Sequence, residues 1–230
     1  MSWVPLEANP ALFQEWSRTM GLDTSQFGYH DVFGLDEELL AMVPAPAHAV
    51  LFLFPLTAGI EARHRAEDAA AGARDTGGAL WFPQKVGNAC GTIGLLHAIA
   101  NSSAVHGVTP GTPLAELLAD AREATPEARA RLLERSVSLQ SAHGSVAAQG
   151  QTQAPGASDP VDLHFVAFVR SADGQLLELD GRRAGPVAHD VDVPTENDVL
   201  ARAAQFVQEY YISAEPDQVQ FNLIALGPGA

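Results

Sequence analysis

The stretch that decides both the fold and the chemistry runs from Gln84 to His97 and reads Gln-Lys-Val-Gly-Asn-Ala-Cys-Gly-Thr-Ile-Gly-Leu-Leu-His. It contains Cys90, the only cysteine of the chain. Gly87 and Asn88 favour a turn before the cysteine, and the apolar residues after it are compatible with a buried helix. The sequence therefore predicts a thiol at the N-terminus of a buried helix. There the unpaired backbone N–H groups and the helix dipole favour the thiolate over the thiol.

Gln84 lies six residues before the cysteine and carries a side-chain amide. An oxyanion hole for acyl transfer is built from such an amide together with a backbone N–H group. We therefore expect Gln84 and the N–H of Cys90 to form one together. A lone cysteine is more often a small buried hydrophobic residue, and the residue type alone leaves that alternative open.

The composition indicates one soluble globular domain with a single sizeable core, because the chain has 230 residues of which 47% are hydrophobic. The longest strongly apolar run, residues 49–56, has the length of a buried strand and not of a membrane span. One cysteine cannot form an internal disulfide, and the N-terminus lacks the features of a signal peptide. These points predict a cytoplasmic or nuclear location. The formal net charge of −15 argues against nucleic acid and anionic membranes, and favours a basic partner.

Hydrophobic patterns and capping residues predict most of the regular elements. The predicted helices are 10–20, 36–41, 113–123, 126–136 and 195–211, and the predicted strands are 48–57, 161–170, 175–181 and 219–226. Strand 48–57 is apolar almost throughout, as expected for the centre of a sheet that is covered on both faces. Residues 27–35 are predicted to be turn-rich, and residues 60–74 to form a solvated helix or loop. Residues 141–160 are rich in Gly, Ala, Ser and Gln, which predicts a long loop.

His164 is the best candidate for a catalytic base among eight histidines, because the strand that returns from it delivers Asp180. A three-residue turn with Gly174 in the left-handed conformation would place Val166 opposite Asp180, so that His164 and Asp180 share a face. A two-residue turn would place them on opposite faces. His97 lies two helical turns from Cys90, about 10 Å, and is assigned to packing. The other histidines have no acidic partner implied by the sequence: His30, His48, His64, His106, His143 and His189.

Several motifs resemble those of the ubiquitin C-terminal hydrolases, a family of cysteine proteases. Gln84, residues 88–92 and residues 95–97 are similar to the active-site signature of this family. Residues 162–165 and 177–182 are similar to its His and Asp motifs, although the hairpin between His164 and Asp180 is one residue longer here. The likeness covers essentially the whole chain and is greatest to the short members without a C-terminal extension.

The resemblance implies an α/β fold of the α+β type, with a central, mainly antiparallel sheet flanked by helices. It also implies a papain-like catalytic arrangement and a knotted backbone. Residues 1–230 would form a single catalytic domain, and residues 141–160 its active-site crossover loop.

The implied activity is cleavage of small adducts or short peptides from the C-terminal glycine of ubiquitin, through a thioester. Cys90 would be the nucleophile, His164 the general acid and base, Asp180 the residue that orients it, and Gln84 an oxyanion donor. The substrate-binding residues implied by the resemblance are Leu6, Glu7, Asp31 and Gln151. We expect a monomer that needs no metal or cofactor. Two alternatives stay open: a hydrolase for another ubiquitin-like protein, and a ubiquitin-binding module that sequesters it, which the complete catalytic set disfavours.

Overall fold

The computed structural model describes residues 2–71, 78–150 and 162–229. The α-helices in these ranges are α1 Pro10–Met20, α2 Glu37–Leu40, α3 Ala58–Ala71, α4 Cys90–Ala100, α5 Pro113–Arg122, α6 Pro126–Arg135, α7 Val137–Ala147 and α8 Val199–Phe206. The strands are β1 Phe27–Asp31, β2 Ala49–Pro55, β3 Leu163–Arg170, β4 Gln175–Leu179, β5 Val187–Asp192 and β6 Asn222–Pro228. No helix in these ranges is both long and apolar enough to span a membrane.

The six strands form one sheet in the order β1-β6-β2-β3-β4-β5, and every neighbouring pair is antiparallel. This confirms the predicted mixed α/β fold with a central antiparallel sheet. The knotted path implied by the resemblance stays a prediction.

β2 is buried on both sides, as its continuous apolar sequence predicts. Leu51 faces a core that includes α4, whereas Val50 and Phe52 face a second core that includes α8. The middle of the sheet is therefore shielded from solvent on both faces, and functional side chains carried there are buried.

The predicted helix starts are confirmed by their caps. The side chain of Asn9 accepts a hydrogen bond from Ala11 N at 2.9 Å, and Gly21 ends α1 with a φ of 113°. Thr112 and Thr125 cap α5 and α6 in the same way, each followed by proline.

The prediction of a loop from residue 141 is wrong for its first part, because α7 continues to Ala147. Ser136 caps this helix, and Leu139, Ala142 and Val146 are buried on one face. This face packs against α1. The small residues of this segment predicted a loop, yet they form a helix that is capped by Ser136 and packs against α1. Residues 151–160 of the predicted loop lie outside the described residues.

Two strands were missed. β1 lies in the segment predicted to be turn-rich, and the alternating β5 was not predicted at all. Both are edge strands, so backbone pairing with a neighbour stabilises them more than their own sequences do. The predicted helix 195–211 is divided into a 3₁₀ turn, α8 and a π-helical segment, Val207–Ile212.

Candidate active site

The hairpin between β3 and β4 brings the predicted histidine and carboxylate together. Gly174 has a φ of 83°, and the register pairs Ala167 with Leu179. Continuing that register places Val166 opposite Asp180, so the three-residue turn is confirmed. The Nε2 of His164 lies 2.6 Å from Oδ1 of Asp180.

The His164–Asp180 pair is almost completely buried, each side chain being 2% exposed. Burial lowers the pKa of His164, but the charge and hydrogen bond of Asp180, together with Cys90, outweigh it and raise the pKa above its ordinary value. Burial raises the pKa of Asp180, but the charge and hydrogen bond of His164 lower it on balance. The N–H of Arg182 also donates to Asp180 Oδ1 at 2.7 Å. The arrangement therefore stabilises an imidazolium against a carboxylate.

Cys90 is the first residue of α4, as predicted. Burial raises the pKa of its thiol, but a hydrogen bond and the positive charge from His164 outweigh burial and lower it on balance. The backbone N–H groups of Phe165 and Gly91 act in the same direction. Because Asp180 engages Nε2 of His164, Nδ1 is the ring nitrogen left to face the sulfur. The three side chains can hold a thiolate–imidazolium pair oriented by a carboxylate.

The turn that aims Cys90 depends on Asn88, which has a φ of 59°. Asparagine tolerates this left-handed conformation better than most residues. Its side-chain Nδ2 donates to Trp3 O at 3.0 Å, and Trp3 N donates to Gly87 O at 2.9 Å. The N-terminal segment therefore fixes the turn from which the catalytic helix starts.

Gln84 is tied to the loop that follows Asp180. Its backbone N–H donates to Gly181 O at 2.8 Å. A Cβ on Gly181 would lie 3.0 Å from Gln84 Cβ, so any larger residue here would crowd Gln84. The side-chain Nε2 of Gln84 donates to Val86 O at 3.2 Å, and its Oε1 is buried without a hydrogen-bond partner. An amide nitrogen carries two hydrogens, so one N–H of Gln84 remains for an oxyanion.

The four residues predicted to bind substrate have different surroundings. Leu6 is buried, and a Cβ on Gly91 would meet its side chain at 3.0 Å. Glu7 accepts a hydrogen bond from Asn9 Nδ2 at 3.3 Å. Asp31 ends β1 opposite Ile224 and is partly exposed. Gln151 lies outside the described residues.

His97 is a structural residue, as predicted. Its Nε2 accepts from Phe82 N at 2.9 Å and its Nδ1 contacts Leu179 O at 3.2 Å, so the ring donates there. Burial lowers its pKa to about 4, which keeps it neutral.

The sequence did not reveal the acidic partners of two other histidines. His48 lies 2.9 Å from Glu196, and His189 lies 2.8 Å from Glu178. Glu178 is fully buried two residues before Asp180, so it shares a sheet face with it. The two-residue spacing between Glu178 and Asp180 was the sequence feature that could have indicated a second buried carboxyl group. In the part of the chain that the structure describes, no group of three or more His, Cys, Asp or Glu residues could hold a metal ion.

Comparison with family models matches residues 3–212 to ubiquitin carboxyl-terminal hydrolase, family 1. Ubiquitin carboxyl-terminal hydrolase 3 of Arabidopsis thaliana is 38% identical over 225 residues, which are 97% of this chain and 93% of that protein. Ubiquitin carboxyl-terminal hydrolase isozyme L1 of Homo sapiens is 37% identical over 227 residues, which are 98% of each chain.

Among solved structures, the chain is similar to the Trichinella spiralis UCH37 catalytic domain bound to ubiquitin vinyl methyl ester. The TM-score is 0.74 at 21% identity, and the match covers 99% of this chain and 96% of that one. At this identity the likeness shows the fold alone.

Proposed function

The chain belongs to ubiquitin carboxyl-terminal hydrolase family 1, and from this premise we propose that it is a thiol hydrolase that cleaves adducts from the C-terminal glycine of ubiquitin. The observation that carries the proposal is the buried set formed by Cys90, His164 and Asp180. Its members come from a helix N-terminus, a strand and the residue that follows the next strand.

The first step uses the thiolate–imidazolium pair. The Cys90 thiolate attacks the carbonyl carbon of the terminal glycine, and a carbon–sulfur bond forms. His164 then gives its proton to the leaving nitrogen as the carbon–nitrogen bond breaks, which leaves ubiquitin as a thioester.

The second step regenerates the enzyme. Neutral His164 takes a proton from water, and the resulting hydroxide attacks the thioester carbonyl. The thiolate leaves, ubiquitin is released as a carboxylic acid that loses its proton to solvent, and His164 is again the imidazolium partner of Asp180. The carboxylate of Asp180 fixes the ring throughout.

Negative charge develops on the carbonyl oxygen in both steps. We assign its stabilisation to the backbone N–H of Cys90, at the N-terminus of α4, and to the free N–H of the Gln84 amide. Each donor in such a hole is worth about 3–4 kcal/mol of transition-state stabilisation.

Substrate binding is assigned to two surfaces. Leu6 and Glu7 belong to the N-terminal segment that covers the start of α4. Asp31 lies two residues before Phe33, whose side chain is 70% exposed. A carboxylate beside an exposed apolar ring suits a partner such as ubiquitin that combines basic and apolar surface. Gln151 is assigned to the same role on the resemblance alone.

The chain is proposed to act as one catalytic domain over residues 1–230, as a monomer in the cytoplasm or nucleus. The crossover segment between α7 and β3 is proposed to limit the size of the leaving group. Small adducts and short peptides would then be cleaved faster than folded proteins.

The test is a panel of fluorogenic substrates in which ubiquitin or a ubiquitin-like protein carries a fluorophore on its C-terminal glycine. We expect kcat/KM to be highest for ubiquitin. Preference for a ubiquitin-like protein would assign the chain to the alternative substrate. Tight binding of ubiquitin with no turnover would identify a sequestering module.

A further inference from the structure

Arg183 lies three residues after Asp180 and points into the protein, with only 2% of its side chain exposed. Its Nε donates to Asp68 Oδ1 at 2.8 Å, and its Nη2 donates to Glu67 Oε2 at 2.9 Å. The second oxygen of Asp68 accepts from Ala184 N at 3.1 Å. A single guanidinium therefore connects the loop after β4 to two carboxylates of α3.

The two carboxylates are themselves held in place. Glu67 and Asp68 are consecutive residues in the C-terminal half of α3, and Tyr210, in the π-helical segment, donates its hydroxyl to Glu67. The Glu67 and Asp68 side chains are 33% and 21% exposed. Arg183 thus contacts an acidic pair of which Glu67 is also held by Tyr210. We call the set of three side chains Arg183, Glu67 and Asp68 the α3 clamp.

The α3 clamp acts directly on the backbone that carries Asp180. Arg183 N donates to Asp180 O at 3.3 Å, and Arg182 N donates to the Asp180 carboxylate at 2.7 Å, so the residues form one tight turn. Fixing the side chain of Arg183 therefore restrains the carboxylate that orients His164.

We propose that Arg183 is a positioning residue for the reaction proposed above, and that it acts by clamping the Asp180 turn to Glu67 and Asp68 of α3. It touches neither substrate nor the reacting atoms. Its positioning effect reaches His164 through Asp180, which sets it apart from the four residues assigned to the chemistry itself.

The titratable groups around this turn come from several elements. Those that act on Asp180, His164 or Arg183 are His64, Glu67 and Asp68 on α3, Cys90 and His97 on α4, and Glu178 on β4. Glu178 is in turn hydrogen-bonded to His189 of β5 and to Tyr211 of the π-helical segment. Removing the positive charge of Arg183 changes the electrostatic potential at these groups, so the test must separate a charge effect from a positioning effect.

The two effects have opposite signs at His164. Loss of a nearby positive charge alone would raise the pKa of His164, and the alkaline limb of the pH–rate profile would move to higher pH. A displaced Asp180 would stabilise the imidazolium less, so the same limb would move to lower pH. A shift of the alkaline limb to lower pH in a variant without the Arg183 charge therefore indicates lost positioning, because loss of that positive charge alone would shift the limb to higher pH.

The experiment compares Arg183→Gln, Arg183→Lys and wild type. For Arg183→Gln we expect kcat on ubiquitin carrying a C-terminal fluorophore to fall by up to about a hundredfold, with KM little changed. The alkaline limb should move to lower pH, and the ultraviolet absorbance of the Cys90 thiolate at neutral pH should fall. Arg183→Lys should recover part of each change, because it keeps the charge without the two-point contact.

The matched control is Arg131→Gln, which removes one charge from an exposed side chain on α6. It should leave all these values unchanged. Because Arg183→Gln can fail to fold, the double variant Glu67→Gln/Asp68→Asn releases the clamp from the other side. It should show the same fall in kcat, whereas its alkaline limb does not separate the two effects, because loss of two negative charges lowers the pKa of His164 by itself.

An alkaline limb that stays in place or moves upward in Arg183→Gln would overturn the proposal, as would a lower melting temperature with kcat unaltered in either variant. The thiolate absorbance is read without substrate. A wild-type protein that fails to cleave ubiquitin therefore refutes the proposed function, whereas an unchanged thiolate signal in both variants refutes the role of Arg183.

Discussion

At the residue scale, the reactive state depends on two pKa shifts in opposite directions. The pKa of Cys90 lies below its ordinary value and that of His164 above, so each charge stabilises the other. Both groups are buried, and unpaired they would be neutral. Asp180 favours the charged pair over the neutral one, because its carboxylate lies 2.6 Å from Nε2 of His164 and stabilises the imidazolium.

The first prediction concerns the pH dependence of kcat/KM. Activity should rise with pH as Cys90 loses its proton, and fall at alkaline pH as His164 loses its own. Asp180→Asn removes the charge that raises the pKa of His164, so the alkaline limb should move to lower pH. We expect kcat/KM to fall by about 10²–10⁴.

The control for this variant is Asp192→Asn, an exposed residue on β5 outside the site. Its pH–rate profile should match that of wild type. An alkaline limb that does not move in Asp180→Asn would contradict the role of Asp180.

At the element scale, what the sequence could reveal follows from how local each interaction is. α1, α5 and α6 carry their caps in their own sequences, and their starts were predicted correctly. β1 is stabilised by β6, almost two hundred residues later, so no local pattern marks it. α7 was missed because its small residues are typical of a loop, and the helix that it packs against, α1, is distant in sequence.

The same distinction between local and long-range interactions applies to the candidate site. The Gly174 turn fixed the His164–Asp180 register, so that pair could be predicted from residues close in sequence. The contacts of Arg183 with Glu67 and Asp68 span 115 residues or more, and no spacing rule indicates them.

A second prediction tests the close approach between the Asp180 loop and the oxyanion segment. In Gly181→Ala the new Cβ would lie 3.0 Å from Gln84 Cβ and 3.1 Å from Phe82 O. We expect a loss of about 1–3 kcal/mol in the free energy of unfolding, as in other overpacked sites. A decrease in kcat should accompany it because Gln84 is displaced. Denaturant titration and steady-state kinetics measure the two effects.

Gly144→Ala is the matched control, since Gly144 is exposed within α7 and a Cβ added there would meet no atom of another element within 4 Å. Alanine there should stabilise the helix by about 0.5–1 kcal/mol without changing kcat. If Gly181→Ala had wild-type stability and turnover, the Asp180 loop and the segment that carries Gln84 would not be coupled by this contact.

At the scale of the whole molecule, one antiparallel sheet with a core on each face carries the proposed catalytic histidine and carboxylate near one end of β3. α4 presents the thiol from one side, and the β3–β4 hairpin presents the base. The surface around this framework is acidic overall, with 28 acidic against 13 basic side chains. Such a surface attracts a basic partner over a distance set by ionic strength.

The third prediction follows from that charge. Ubiquitin has an arginine-rich C-terminal tail, so binding should be steered electrostatically. Raising the salt from low to several hundred millimolar should slow association by about tenfold or more, while dissociation changes less. Stopped-flow mixing with ubiquitin across a salt series measures both rates. An association rate independent of salt would rule out steering.

Cys90 is proposed to be the nucleophile toward the C-terminus of ubiquitin. The most direct measurement is the reaction of the protein with ubiquitin vinyl methyl ester, followed by intact mass and peptide mapping. We expect one ubiquitin attached per chain, at Cys90, and no adduct on a folded Cys90→Ala variant that still binds ubiquitin. A folded wild-type protein that gains no adduct, or an adduct at a residue other than Cys90, would contradict it.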